Sequence, residues 1–192
     1  MTASLTFCPT KHEYRIGDRV LPSVTQVLTE AGLINPSWYS PEAAERGTVV
    51  HECCAILNRG LVLDWDTVDD RVWPYVDAYR CFLGEMGDRL HISEVEYRVM
   101  NANYGYAGTT DILGKWDGRP MVCDIKTGDP EPWHALQLAG YSEAYPIVRP
   151  ERYCIYLNSD GKYGLKHYTD PSDRTAFLSA VALVNWKRRF MR

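Results

Sequence analysis

An aspartate and a lysine stand two positions apart in the stretch VCDIKTG, which spans residues 122–128. Alternate residues of a β-strand point to the same face, so Asp124 and Lys126 would emerge side by side while Ile125 turns away. The two side chains could form a surface ion pair. They could also be half of an active site in which a lysine assists hydrolysis beside a metal-binding carboxylate. The rest of the sequence has to decide between these interpretations.

A second carboxylate, Asp111, ends the stretch GYAGTTD, and twelve residues separate it from Asp124. This spacing is enough for two strands joined by a short turn at DGR. If the strands pair so that Asp111 and Asp124 fall opposite, the carboxylates lie about 4.8 Å apart and repel each other unless a cation sits between them. Mg²⁺ or Mn²⁺ suits such a site. Lys126 would then orient the attacking water and stabilise charge that develops on phosphorus.

Two predicted helices carry further polar side chains that could complete this site. Gln137 and Tyr141 are four residues apart and therefore share one face of a helix that follows Lys126. They could reach a phosphate, or they could belong to an ordinary helix surface with a half-buried tyrosine. Upstream, His51 lies four residues after Gly47 in RGTVVHE. His51 could be an imidazole ligand for the metal, although a lone helical histidine is more often a packed or surface residue.

The elements that must position these residues follow from capping and periodicity. A hairpin is expected around Gly17 and Asp18, and Ser23 begins a helix with a capping box to Gln26. Ser40 begins a second helix that runs to Gly60. The stretches VWPYVDAYRCFLGEM, PWHALQLAGYSEAY and the tail from residue 171 predict helices, and HISEVEYRVM, GYAGTTDILGKW, PMVCDIK, RYCIYLN and YGLKHYT predict strands. The order of elements predicts an α/β fold, a mixed sheet flanked by helices.

Length and charge bound the class of protein. The chain has 192 residues and a formal net charge of −4, which fits one domain and argues against indiscriminate binding to nucleic acid. Residues 1–100 carry 9 basic and 15 acidic side chains, so the remaining 92 residues carry 12 and 10. The end, KRRFMR, holds four cations that could offset a helix macrodipole or contact phosphates. No apolar run predicts a membrane span, and no secretory signal is visible, so a cytoplasmic location is expected.

The six cysteines do not form a C-x-x-C pair, and we interpret them as buried thiols in a reducing compartment. Aromatic residues flank the predicted site and could stack on unpaired bases, although most are expected to be core or loop anchors. They are Trp38, Tyr39, Tyr104, Tyr106 and Trp133.

Taken together, RGTVVHE, GYAGTTD, DIKTG and QLAGY resemble the PD-(D/E)XK nuclease superfamily, and its RecB-like branch in particular. The segment LPSVTQVL is similar to the start of mitochondrial genome maintenance exonucleases and related phage exonucleases. The resemblance spans about residues 21 to 145 and rests on five short pieces in the right order. It implies a restriction-endonuclease-like core, in agreement with the sheet predicted above.

The resemblance also implies residue roles. The implied metal ligands are His51, Asp111, Asp124 and the backbone carbonyl of Ile125, and the implied catalytic residues are Asp111, Asp124 and Lys126. Gln137 and Tyr141 match the motif that places substrate, while Ser23, Thr25 and Arg46 are expected near the DNA. Glu96 stands where several relatives have an acid, and it could support a second metal or a lysine, or be a paired strand charge. The cysteine pattern of the iron–sulfur relatives is not present, so no iron–sulfur cluster is expected.

The function expected from these observations is a metal-dependent DNA exonuclease in one nuclease domain, residues 1–192. Within it we expect an N-terminal hairpin and helices over 1–88, the catalytic sheet and helix over 89–168, and a C-terminal helix over 171–192. The alternatives are a structure-specific endonuclease and a nucleic-acid-binding or assembly module that does not cleave. The expected partners are DNA, a single-strand annealing or recombination protein, and further copies of the chain in a homo-oligomer, with no membrane.

Overall fold

The structure, a computed structural model, describes residues 4–145 and 149–191. The described strands are β1 (Leu5–Cys8), β2 (Glu13–Ile16), β3 (Arg19–Leu21), β4 (Leu90–Asn101), β5 (Tyr106–Trp116), β6 (Arg119–Lys126), β7 (Glu151–Leu157) and β8 (Tyr163–Tyr168). The described α-helices are α1 (Val24–Glu30), α2 (Pro41–Asn58), α3 (Trp73–Met86), α4 (Pro132–Ala144) and α5 (Ser172–Phe190). Every predicted helix and strand is therefore confirmed, whereas the short strand β1 was not predicted.

A five-stranded sheet in the order β4-β5-β6-β7-β8 forms the centre of the molecule. Strands β6 and β7 are parallel and the other neighbours are antiparallel, so the sheet is mixed as predicted. The parallel pair requires a crossover, which α4 provides. Strands β1, β2 and β3 form a separate three-stranded antiparallel sheet.

Apolar side chains are buried in two main clusters. One contains residues of α1, α4 and α5 together with sheet residues such as Val122 and Leu113, and the other contains residues of α2 and α3 with Ile112, Cys123 and Ile125. Neighbouring strand residues, such as Val122 and Cys123, thus enter different clusters because side chains alternate along a strand. The two layers of helices hold the central strands in place.

Side-chain caps fix where the two helices nearest the site begin. Ser23 Oγ accepts a hydrogen bond from Gln26 N at 3.0 Å, and Gln26 Oε1 accepts one from Ser23 N at 2.9 Å. Ser40 Oγ accepts a hydrogen bond from Ala43 N at 3.1 Å, and Pro41 follows it. Both predicted N-caps are confirmed, and they set the rotational position of α1 and α2 relative to the sheet.

The expectation of six buried thiols is wrong for two of them. Cys81 is exposed on the solvent side of α3 and Cys8 is half-buried at the end of β1, whereas the other four are buried. The buried residues of α3 include Tyr75, Tyr79 and Phe82, and Cys81 lies off this apolar stripe, by which α3 packs on the sheet. Within the described residues, no helix is long and apolar enough to cross a membrane.

Candidate metal and active site

Three acids come from the same level of three adjacent strands. The pairing of β5 with β6 reaches Ile112 and Cys123 at this end, and Asp111 and Asp124 are the next residue on each strand. Glu96 occupies the position of β4 across from Asp111, between the pairs Val95–Ile112 and Tyr97–Thr110. The predicted juxtaposition of Asp111 and Asp124 is therefore the register that the sheet adopts, and Glu96 joins them from the other side.

Glu96 has an unusual backbone conformation for a strand residue. Its φ is 55°, in the left-handed region that non-glycine residues rarely adopt. Such a conformation costs on the order of 1 kcal/mol and persists only where the surroundings impose it, which is common at functional sites. The pairing of β4 with β5 is interrupted at Glu96 itself, so the distorted residue is the one that brings a carboxylate to Asp111.

Helix α2 supplies a histidine to this group of acids. His51 Nδ1 lies 3.3 Å from Asp111 Oδ1, and the other oxygen of that carboxylate, Oδ2, accepts a hydrogen bond from Ile125 N at 2.6 Å. Asp111 is thus held from two sides, by a helix and by the neighbouring strand. One ligand atom from each of His51, Glu96 and Asp111 lies within 4.8 Å of the others, which is close enough for a single metal ion to bind all three.

Lys126 and Asp124 form an ion pair between Lys126 Nζ and Asp124 Oδ2. Asp124 is only 3% exposed, and the lysine side chain is 18% exposed. The surface-ion-pair interpretation of the D-x-K triplet is therefore wrong, because a pair on the surface would be solvated on most sides. The ammonium group also lies 5.5 Å from the centre of the Trp133 ring.

The pKa values in the cleft are perturbed because buried Asp111 and Asp124 lie close to half-buried His51 and Lys126 and to Glu96, which is exposed at the edge of the cleft. Burial raises the pKa of Asp124 to about 6, although the ammonium of Lys126 opposes the shift. Desolvation and the charge of Asp111 raise the pKa of Glu96 to about 7. Burial alone would lower the pKa of His51, but the Asp111 carboxylate outweighs it and raises that pKa to about 9. The metal-free cleft therefore holds His51 as a cation against Asp111.

The charges of these groups fit a divalent cation. A metal ligand must be neutral imidazole or ionised carboxylate, so binding requires His51 to lose its proton. With His51 neutral, the three carboxylates and the single ammonium of Lys126 sum to a charge of −2, which one divalent ion neutralises. Desolvation is the main cause of the raised pKa of Glu96, and repulsion from the Asp111 carboxylate adds to it at the position where the ligand atoms converge. Mixed oxygen and nitrogen donors suit Mn²⁺, and the carboxylates suit Mg²⁺.

Helix α4 covers the cleft with the predicted glutamine and tyrosine. Gln137 Nε2 donates to Thr25 Oγ1 at 3.2 Å and to Tyr141 OH at 3.1 Å. The other amide atom, Gln137 Oε1, is buried and has no hydrogen-bond partner among the described residues. An unsatisfied buried acceptor costs about 1–3 kcal/mol, so it is a position where a ligand group or a water is expected.

Gly108 explains the glycine in the G-x-x-D stretch. A Cβ at Gly108 would lie 2.8 Å from Tyr141 Cε1 and 3.1 Å from Val24 Cγ2. The absent side chain lets α1 and α4 approach β5, and this approach places Tyr141 and Thr25 beside the acids. At Gly47, by contrast, a Cβ would meet only Thr127 Oγ1 at 3.7 Å, so the fold itself does not require glycine there.

The structure brings nine of the predicted site residues into one cleft, and two, Arg46 and Ile125, do not line it. The cleft is lined by Ser23, Thr25, His51, Glu96, Asp111, Asp124, Lys126, Gln137 and Tyr141, among others. Arg46 points elsewhere, because its guanidinium lies 5.3 Å from the centre of the Tyr75 ring on the α3 side of α2. Ile125 contributes its buried side chain to the core and its N–H to Asp111.

Two residues that line the cleft come from outside all of the sequence motifs. His12 and Tyr14, from the N-terminal hairpin, line the cleft, and the hydroxyl of Tyr14 lies 2.7 Å from Thr109 Oγ1. No motif contains them, and only an unusual φ of 48° at His12 marks this part of the hairpin. Of the flanking aromatics, Trp133 donates to Tyr39 OH at 3.2 Å, and Trp38 lies in the short 3₁₀ turn that precedes Tyr39.

Comparison of the sequence with protein-family models and with curated proteins finds no match. Among solved structures, the fold is similar to an alkaline exonuclease (LHK-Exo) from Laribacter hongkongensis, at 15% identity over 87% of this chain and 91% of that chain, with a TM-score of 0.43. A crystal structure of SSO0001 is similar at 15% identity over 87% of this chain and 76% of that chain, with a TM-score of 0.42. Function therefore has to be inferred from the side chains of this chain's own cleft.

Proposed function

We propose that this chain is a divalent-metal-dependent deoxyribonuclease of the RecB-like branch of the PD-(D/E)XK superfamily. We propose further that it is an exonuclease that hydrolyses phosphodiester bonds at DNA ends in recombination, repair or phage DNA metabolism. The observation that carries the proposal is the convergence of Glu96, Asp111 and Asp124 from three adjacent strands, with His51 facing them and Lys126 paired to Asp124. Three carboxylates this close together repel phosphate unless a cation binds first.

The proposed metal ligands are His51, Glu96 and Asp111, whose ligand atoms already lie together. When Mg²⁺ or Mn²⁺ is bound, it supplies a Lewis acid that polarises the phosphoryl group and lowers the pKa of water. Asp111 is preorganised for this role because His51 and the Ile125 N–H fix its two oxygens. Asp124 and the backbone carbonyl of Ile125 remain predicted ligands of the same metal ion.

Lys126 supplies the positive charge that hydrolysis of a phosphodiester requires beside the metal. Its ammonium is held in place by Asp124, and that pairing keeps the pKa of Lys126 above its ordinary value despite burial. A charged donor in a water-poor cleft orients the attacking water and stabilises the charge that develops on the phosphate oxygens. By analogy with the family that the sequence resembles, hydrolysis would leave a 5′-phosphate and a 3′-hydroxyl.

Helix α4 and the start of α1 form the substrate side of the cleft. The hydroxyl of Tyr141 accepts from Gln137, so its own proton remains available for a phosphate oxygen. Gln137 Oε1 offers an acceptor to a water or to a sugar hydroxyl. Ser23 and Thr25 lie at the start of α1 and line the cleft, and the hydroxyl of Thr25 accepts a hydrogen bond from Gln137 Nε2.

The test compares wild type with Lys126→Ala on linear DNA labelled at the 5′ or 3′ end and on a closed circle, with Mg²⁺, Mn²⁺ or EDTA. We expect cleavage of the linear DNA that requires metal and Lys126. Lys115→Ala is the matched control, because Lys115 is an exposed lysine of β5 outside the cleft.

Each outcome decides between the alternatives. Cleavage of linear DNA alone supports the exonuclease, and cleavage of the circle indicates an endonuclease. Binding without cleavage under every metal condition would leave the non-cleaving module, and full activity of Lys126→Ala would contradict the mechanism. A single-strand annealing or recombination protein and further copies of the chain remain predicted binding partners.

A further inference from the structure

A second concave surface lies at the C-terminal end of α5. This groove, of about 1060 Å³, is formed by the last turns of α5, by β3 and by the turn between β4 and β5. Three aromatic rings line it and remain in contact with solvent, with exposed fractions of 54% for Trp186, 59% for Phe190 and 40% for Tyr104. Trp186 and Phe190 are one helical turn apart, and their ring centres are 5.5 Å apart. Exposed rings this close together form a surface on which a flat ligand can stack.

The groove is also positively charged. Its lining residues include Arg19, Arg188 and Arg189 and, among the described residues, no acid. Arg188 is paired with Glu30, but neither Arg19 nor Arg189 has an ion-pair partner within residues 4–145 and 149–191. The guanidinium of Arg189 lies 4.9 Å from the centre of the Phe190 ring. A chain with a net charge of −4 thus concentrates cations beside exposed rings.

The groove is continuous in the chain with the catalytic cleft. Arg19, Val20 and Pro22 line the groove, while the residues that follow, from Ser23 to Thr25, line the cleft. The same change occurs along a second segment, where Tyr104 belongs to the groove and Gly108 to the cleft. The two segments are bonded to each other, since Ala107 N donates to Pro22 O at 3.0 Å. The two sites therefore share two neighbouring segments of the chain, and the residues that join them, such as Pro22, Ser23 and Ala107, are buried between the two surfaces.

We propose that this groove binds single-stranded DNA and holds the part of the strand that extends beyond the catalytic cleft. Cations that track phosphates, combined with aromatic rings that stack on bases, are the features by which proteins bind single strands without reading their sequence. The rings require unpaired bases, so the groove selects a single strand over a duplex. Arg189, in the KRRFMR end, is then a phosphate contact and does more than offset the dipole of α5, while Arg192 lies outside the described residues. The part of this inference in which the strand leads into the catalytic cleft rests on the proposed function. Binding of a single strand to the groove can be tested without it.

The test measures binding in EDTA, so that no cleavage takes place. Fluorescence anisotropy would follow a labelled oligothymidylate of about 20 nucleotides, which exceeds the site sizes of about 4–16 nucleotides found in single-strand binding folds. A duplex of equal length is the second probe. The variants are Trp186→Ala with Phe190→Ala, and Arg19→Ala with Arg189→Ala. The matched control is Arg80→Ala with Arg119→Ala, which removes the same charge from exposed arginines elsewhere.

We expect the aromatic pair to weaken single-strand binding by about tenfold or more and to change duplex binding little. Trp186→Phe keeps a ring and should restore most of the affinity. The arginine pair should reduce the slope of log Kd against log salt by about 1.4, or about 0.7 for each phosphate that is no longer neutralised, while the control pair should not. These results would support a single-strand site whether or not the protein cleaves DNA.

Unchanged single-strand affinity in both groove variants would overturn the inference. If light scattering then showed that the aromatic variant had lost a dimer, the occupant of the groove would be a second copy of the chain. The proposed function fails separately, when wild type does not cleave with any metal. It could fail while groove binding persists, and it could stand while the groove variants bind normally.

Discussion

Two buried polar clusters lie on α4 and the strands beneath it, and they differ in how their hydrogen bonds are satisfied. In the first, His134 Nδ1 accepts from Glu131 N at 3.1 Å and lies 2.9 Å from Tyr156 OH, which lies 2.7 Å from Tyr168 OH. In the second, the cleft around Asp111 and Asp124, carboxylates crowd together and Gln137 Oε1 has no partner among the described residues. We call the first the closed cluster, because its polar groups are hydrogen-bonded to one another, and the second the open cluster, because Gln137 Oε1 has no such partner among the described residues.

The two clusters also differ in charge. Burial lowers the pKa of His134 to about 3, with Lys126 and Lys166 adding to the shift, so the closed cluster is neutral. The cleft instead holds charged His51 and raises the pKa of Glu96 to about 7. A neutral, satisfied network stabilises a fold, whereas a charged and incompletely satisfied one lowers stability and is kept where a ligand completes it. Substitutions in the two clusters should therefore change different properties.

The largest effect is expected for Asp111→Asn. The amide can still accept from Ile125 N, but it removes a charge from the group of ligand atoms and the partner of His51. We expect cleavage to fall by about 10²–10³-fold, the loss typical when one charge-stabilising group is removed from an active site. Single-turnover rates with Mn²⁺ measure the loss, and circular dichroism checks the fold. Asp117→Asn, in an exposed pair with Arg89, is the control, and a loss below about tenfold at Asp111 would contradict the assignment.

A smaller effect, on stability and not on rate, is expected for His51→Gln in EDTA. The folded pKa of His51, about 9, lies above its ordinary value of 6.5. Its pairing with Asp111 is therefore fully stabilising below about pH 6.5, and this stabilisation is lost as the pH rises through about 9. Urea unfolding should show wild type more stable than the variant by roughly 2 kcal/mol near pH 6, after allowance for partial exposure, and by little near pH 10.

The stability contribution of His134, in the closed cluster, should depend on pH in the opposite direction. Because the folded pKa of His134, about 3, lies below 6.5, its contribution is present above pH 6.5 and declines as the pH falls toward 3. His91→Gln, at an exposed position of β4, is the control for the His51 comparison. A stability difference between wild type and His51→Gln that did not change between about pH 6 and about pH 10 would show that His51 is not charged in the metal-free cleft.

A third substitution tests the closed cluster directly. Tyr156→Phe removes the hydroxyl that joins His134 to Tyr168 and leaves two buried polar groups with one partner fewer. The free energy of unfolding should fall by about 1–2 kcal/mol, while the metal dependence of cleavage stays as in wild type. Urea unfolding and metal titration measure the two properties. A changed metal requirement would mean that the clusters are not independent.

The order of elements could be predicted from the sequence because caps and periodicity are local signals. Ser23, Ser40 and the alternation in β5 and β6 act within a few residues, and the two-strand register around Asp111 and Asp124 follows from one short turn. The position of Glu96 was visible only as a resemblance, because its left-handed φ depends on neighbours far along the chain. His12 and Tyr14 enter the cleft through hairpin packing, which no spacing in the sequence encodes.

The smallest effect is expected for Arg46→Ala, and it tests the boundary of the open cluster. The sequence predicts a DNA contact, but the guanidinium lies over Tyr75, its Nε is buried without a hydrogen bond among the described residues, and it does not line the cleft. Removing it should leave the cleavage rate and single-strand affinity close to wild type and change the stability by about 1 kcal/mol or less. Arg59→Ala, an exposed arginine that lines the concave surface beside His51 and Glu96, is the informative comparison. A loss of DNA affinity at Arg46 larger than at Arg59 would show that the substrate also reaches the α3 side of α2, and the open cluster would then extend across both faces of that helix.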